Sequence, residues 1–279
     1  MFVIGNVVIL MRKRIYRQIS SGFITSGSTS PERSVSHRTL FTLKVNIMNK
    51  QELFIWFYTA RAQESKLFPL YEDYWLSDKY CPKKQVPILG DWVMYYPPKD
   101  GFPTYDTRFK MPEILYLHIK SKVQPSFDWF PQNYKLKIVS ESFLNFMISN
   151  QLYGRFEATE LKVFGKDGKE FIDKKFFVIR ICEFDDNKFD FHIENKKRAI
   201  GCNKYNYFLY PDMQLKNYND KQNIFFLNEF CYQNSIILTT DGKDYVMQNF
   251  NRPELYKLED YRFVWNNRHN VGQLPEMIK

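Results

Sequence analysis

The chain has 279 residues, 44% of them hydrophobic and 25% charged, enough for one large domain or two small ones around a sizeable core. Its net charge is +9, but residues 1–47 hold seven basic side chains (Arg12, Lys13, Arg14, Arg17, Arg33, Arg38 and Lys44) against the single acid Glu32, a balance of +6 that leaves +3 for residues 48–279. A body so near neutrality lacks the focused basic surface that phosphate binding requires, which argues against nucleic acid as a partner.

Residues 1–47 are unlike the rest. The apolar run Phe2–Leu10 precedes the basic cluster Met11-Arg12-Lys13-Arg14, the reverse of a signal peptide, and it falls short of the roughly 20 apolar residues of a spanning helix. The Ser-, Thr- and Gly-rich stretch 20–36 shows no apolar periodicity. Met48 then stands just ahead of a strong strand signal. The expectation is a disordered leader or an over-extended start over 1–47, with a basic membrane-surface anchor as the competing reading, and a single α+β domain over 48–279, divisible into halves 48–133 and 134–279.

In the body, 51–59 (QELFIWFYT) reads as a strand. Residues 67–91, interrupted by Pro69, Pro82 and Pro87, read as mostly irregular. The segment 92–96 (WVMYY) reads as a short strand ended by Pro97-Pro98. A loop over 97–112, a strand over 114–119 and a second loop over 121–133 follow. The stretch 135–150 predicts a strand running into a helix, with Ser140 as N-cap and Phe143, Leu144, Met147, Ile148 and Leu152 on one face, stopped by Gly154. Apolar strands over 156–164 and 175–184 flank the turn Lys166-Asp167-Gly168-Lys169. Asp185-Asp186-Asn187 turns into a strand over 188–193. Strands over 224–230 and 235–239 precede a short helix capped by Thr240 or Asp241, with Tyr245, Val246 and Phe250 inward and Asn251 and Pro253 ending it. The pattern is thus α+β, a strand-rich mixed sheet or sheets with a few short helices. The order strand–cap–helix–strand recurs around 136–163 and 236–260, as a weak internal duplication would have it.

Aromatic residues make up 18% of the chain, which leans it towards β structure, although a biased genome also accounts for such a composition. The four cysteines, Cys81, Cys182, Cys202 and Cys231, are widely spaced and read as reduced thiols of a cytoplasmic protein rather than metal ligands. Nucleotide-binding, zinc-protease and serine-hydrolase motifs are absent from the sequence. The one constellation with catalytic spacing is 189–196 (FDFHIENK). On a strand, Asp190, His192 and Glu194 would share a face able to hold a divalent metal, and Glu194 and Lys196 would supply the acidic and basic groups of a metal-dependent nuclease. The plainer reading is a strand with a polar outer face. The short basic runs 174–175 and 196–198 read as solvated turns.

The aromatic loops 95–109 and 124–134 carry Tyr95, Tyr96, Tyr105, Arg108 and Trp129. These residue types either cover a core or anchor a protein partner. Stacking on RNA is disfavoured by the same lack of basic surface.

Two stretches carry a family resemblance: YYPPKDGFPTYDTRFKMPEILYL at 95–117, and IVSESFLNF at 138–146 leading into the hairpin that ends at 184. In texture and order over about 52–260 the chain resembles bacterial immunity proteins of polymorphic-toxin systems, in particular the immunity protein 43 family, and a related group, immunity protein 11, has a similar strand–VSE–helix stretch. The resemblance implies a cytoplasmic, non-catalytic antidote that needs no cofactor, spans no membrane and blocks a cognate protein toxin, often encoded by a neighbouring gene. It assigns no site residues.

Overall fold

The computed structural model describes residues 51–64, 74–82, 85, 90–104, 106–200, 207–216 and 221–278, all within the unit Met48–Lys279. Residues 1–47, expected to be a leader or an over-extended start, and also Cys202 and Tyr105, lie outside the described residues.

The chain begins with β1 (Phe54–Trp56) and α1 (Ala60–Glu64), then β2 (Tyr74–Ser77), α2 (Pro97–Asp100) and β3 (Ile114–Ile119). The short β4 (Trp129–Phe130) leads to β5 (Leu136–Ser140), α3 (Glu141–Ser149), β6 (Phe156–Phe164) and β7 (Glu170–Ile181). Two-residue strands follow: β8 (Phe189–Asp190), β9 (Lys197–Arg198), β10 (Phe208–Leu209), β11 (Gln214–Leu215) and β12 (Ile224–Phe225). The chain closes with β13 (Ile236–Leu238), α4 (Thr240–Asn249), β14 (Leu255–Lys257) and α5 (Tyr261–Asn267).

Six strands form a mixed sheet in the order β2-β3-β6-β7-β5-β4, parallel only between β3 and β6. Four form an antiparallel sheet in the order β12-β13-β1-β14. The expected α+β class is therefore what the chain adopts. The halves 48–133 and 134–279 do not separate, because β1 lies between β13 and β14 in a sheet otherwise built from the C-terminal part and β3 pairs β6.

The run LFIWF shows no alternation of polarity because β1 is buried on both faces. Leu53, Ile55 and Phe57 enter one core with Ile237, Tyr256 and, from α5, Tyr261, Val264 and Trp265. Phe54 and Trp56 enter a second core shared with the six-stranded sheet through Val139, Ile179 and Ile181. Into that shared core α3 sends Phe143, Phe146 and Met147, and α4 sends Val246, joined by its C-cap Phe250. A third core covers the far face of the large sheet, with Leu117, Ile138, Leu161 and Val178 beneath Trp92 and Phe127.

The recurring strand–helix–strand pattern corresponds to a shared topology. β5 and β6 both run antiparallel to β7, which lies between them, and β13 and β14 both run antiparallel to β1. Each unit is a split β-α-β with one inserted strand and a short outer strand, β4 or β12, beside its first strand. The capping is equivalent as well. Ser140 accepts from the Phe143 N–H, and Thr239 accepts from the Gly242 N–H. Ser140 Oγ donates to Asp128 at 2.7 Å, just as Thr239 Oγ1 donates to Asn223 at 2.8 Å. Each acceptor also meets the other unit: Asp128 accepts from Asn251 N at 2.8 Å, and Asn223 N donates to Asn150 Oδ1 at 3.0 Å.

Several sequence expectations need correction. Residues 92–96 are not a strand: a 3-10 turn spans Asp91–Val93, and Tyr96 is the extended residue before α2. The irregular stretch 67–91 contains β2. On α3 Phe146 joins the expected Phe143 and Met147 in facing inward, while Ile148 faces solvent, and the helix ends at Ser149 with Asn150 as its C-cap, before Gly154. β7 starts at Glu170, five residues early, because the turn at 166–169 closes a tight hairpin with Gly168 at φ 77°. The cap of α4 is Thr239, one residue before the expected Thr240 or Asp241.

Candidate recognition loop

The segment from Trp92 to Pro112 crosses the outer face of the six-stranded sheet, where polar side chains within apolar strands hold it by its carbonyls. Arg180 of β7 is 1% exposed and stands opposite Glu157 of β6. Its guanidinium pairs with Glu157, donates from Nη1 to Trp92 O and from Nη2 to Phe109 O, both at 2.8 Å, and lies 4.6 Å from the centre of the Tyr95 ring. Thr159 Oγ1 donates to Pro112 O at 2.8 Å. Lys135 Nζ, ahead of β5, donates to Met94 O at 2.7 Å.

The loop also bonds to itself. Tyr95 stacks on Phe109 with ring centres 5.3 Å apart, and its hydroxyl donates to Gly101 O. Asp100 accepts from Tyr96 N at 2.6 Å. Asp106 caps the 3-10 turn Thr107–Phe109 by accepting from Arg108 N and pairs with the Arg108 guanidinium at 2.7 Å, which holds its carboxyl below the usual range.

This frame presents side chains outward. Met94 is 75% exposed, the Arg108 side chain 68% and Tyr134 48%. Tyr96 is half-buried. It packs edge-on to Tyr134, and its hydroxyl contacts Asn228, with Gln233 Nε2 3.3 Å away. Burial first, then Tyr134 and Asp186, push the Tyr96 hydroxyl up to about 12, so it stays protonated and can donate. Beside it opens a cleft of about 620 Å³, lined by Pro98, Glu183, Phe184, Asp186, Asn228 and Glu229. Burial raises the carboxyls of Asp186 and Glu229 above the normal range.

The site residues expected from sequence divide on this geometry. Arg108 is exposed and Tyr96 partly so. Tyr95, at 4% exposure, and Trp129, at 0%, are interior residues, since the first closes the loop from within and the second packs against Phe143 and Phe226. Tyr105 lies outside the described residues. Sequence reasoning missed Arg180, Glu157, Lys135, Met94 and Tyr134. Of these Arg180 left a usable signal: a charge inside the buried run FFVIRI requires a partner.

The 189–196 constellation is not a strand face. β8 ends at Asp190, His192 sits in the left-handed region at φ 45°, and Ile193–Asn195 is a 3-10 turn. His192 Nδ1 lies 3.3 Å from Glu194 and Nε2 lies 3.9 Å from Asp190, so the turn is held by ordinary surface contacts. Lys196 lies over the Phe208 ring at 4.3 Å. Among the described residues, no three His, Cys, Asp or Glu side chains are grouped to hold a metal ion. Nor is any helix among them long and apolar enough to cross a membrane.

Comparison with known proteins adds one positive finding. No curated protein matches the chain. A family model described as immunity protein 43 matches residues 60–273, from α1 through the turn after α5 and including the whole 92–112 segment. The match spans well over half of the chain, which therefore belongs to the immunity protein 43 family.

Proposed function

We propose that this chain neutralises a protein toxin by binding it, without turnover, and that residues 48–279 are the binding unit. Membership of an immunity protein family over 60–273 is the observation that carries this reading. The loop supports it: exposed Met94 and Arg108, with half-buried Tyr96, sit on a backbone whose carbonyls are already held, and exposed Tyr134 packs beside Tyr96 from the turn before β5, so little ordering remains to oppose association. Aromatic and arginine side chains on such a frame are the usual anchors of protein interfaces. The expected partner is a cognate toxin domain encoded by an adjacent gene, met in the cytoplasm, and blocked by occlusion rather than by mimicry of nucleic acid.

The test is co-expression. The protein encoded next to this chain is produced alone and then with residues 48–279. Toxicity alone, rescue in company and co-purification as a one-to-one complex are expected. Persistent toxicity beside soluble chain, or a harmless neighbour, would overturn the reading.

A further inference from the structure

We infer that Arg180 is the positioning residue of the recognition loop: through Trp92 O and Phe109 O it fixes both ends of the segment that meets the partner, so the loop is set before the partner arrives. This rests on the proposed function, and the geometry supplies the rest. A guanidinium presents its N–H groups in a rigid fan, so one side chain can serve several acceptors at fixed angles. Here Nε and Nη2 reach Glu157, Nη1 reaches Trp92 O, and Nη2 also reaches Phe109 O. The two carbonyls are 17 positions apart in sequence and bracket Met94, Tyr96 and Arg108. The Tyr95 ring, under the guanidinium and against Phe109, completes the closure on the inner side. Neither Arg180 nor Glu157 needs to touch the partner, because the first is 1% exposed and the second faces the loop through it.

A purely structural ion pair would be replaceable by any pair that restores charge balance. A positioning residue would not, because the second requirement is geometric. Lysine at 180 keeps the charge beside Glu157 but has one ammonium group to share between distant carbonyls. The double variant Arg180→Met/Glu157→Gln removes the buried guanidinium and the partly buried carboxylate together, so neither charge is left unpaired and the sheet retains its strand pairing.

The experiment compares full-length wild type, Arg180→Lys and Arg180→Met/Glu157→Gln. Amide hydrogen exchange is read over 92–110, with β5 and β7 as internal reference. Affinity is measured for the purified, inactivated protein encoded by the adjacent gene. Expected are faster exchange confined to 92–110 in both variants and a dissociation constant raised about tenfold or more, mainly through slower association as the loop must order on contact. Unchanged exchange in the loop would overturn the positioning role. A loosened loop with unchanged affinity would overturn its role in docking. Failure of the wild-type chain to bind would instead overturn the proposed function, and the docking role with it, whatever the exchange shows.

Discussion

His118 and Trp129 show how burial redirects residues whose types invite a functional reading. His118 is 2% exposed and lies in β3, stacked on Trp75 at 5.0 Å and on Phe164 at 5.5 Å, with Tyr80 at 5.6 Å. Burial holds its pKa below the ordinary value of 6.5. The unfolded chain therefore takes up a proton more readily than the folded one. Its stabilising contribution is complete above about pH 6.5 and is lost as pH falls from there through the folded-state value. Asp186, Glu229 and Glu254, with carboxyls raised by burial, act in the opposite sense as pH falls, so the histidine must be isolated by difference. Denaturant unfolding of wild type and His118→Phe between pH 7.5 and 5 should show a smaller loss of stability on acidification in the variant, and parallel curves would contradict the assignment. Its place inside an apolar strand was legible from ILYLHI. The interior position of Trp129 was not, because the sequence shows a tryptophan near prolines in a loop and not the core that α3 and the neighbouring sheet build around it.

At the scale of elements, caps and long amphipathic runs were readable and short strands were not. Ser140, β3 and β6 stand where the sequence places them, since a capping serine before a periodic run and an unbroken β-former run are local signals. The segment WVMYY has the same composition as a strand but starts a turn, because the tertiary hold of Arg180 and Lys135 on its carbonyls outweighs its propensity. The split β-α-β equivalence was visible only as an order of elements; of the inserted strands, β7 follows its unit directly whereas β1 lies some 180 positions upstream of β13, and neither carries a local mark of its role. The approach of α4 to the residue just ahead of β12 also has a sequence cause that is invisible alone: a Cβ at Gly242 would stand 2.2 Å from Asn223 O, so the second unit needs glycine there. Asp128 ties the units together by accepting from Ser140 Oγ and Asn251 N and pairing with Lys174 at 2.7 Å. Asp128→Ala should lower stability by about 2–3 kcal/mol, more than the roughly 1 kcal/mol of losing the Ser140 cap in Ser140→Ala. Chemical denaturation of the two variants checks the order, and an equal or smaller cost for Asp128→Ala would contradict the shared role.

For the whole molecule, two sheets share one core through a pair of equivalent helices, and the far face of the larger sheet carries the loop. That separation explains why the proposed surface was only partly legible: its aromatic and arginine residues stand in the sequence, but which of them face outward depends on a buried arginine some 70–90 positions away in sequence. It also gives the central claim a clean test, because Met94 and Arg108 face solvent and can be changed without touching any core. The measurement is the dissociation constant of the complex with the adjacent-gene protein, for wild type and for Met94→Asp/Arg108→Ala, with thermal unfolding of each free chain as control. A loss of about thirtyfold or more at unchanged thermal stability is predicted, the scale of losing interface anchors. An unchanged dissociation constant in a stably folded variant would contradict the account and move the binding surface elsewhere on the molecule.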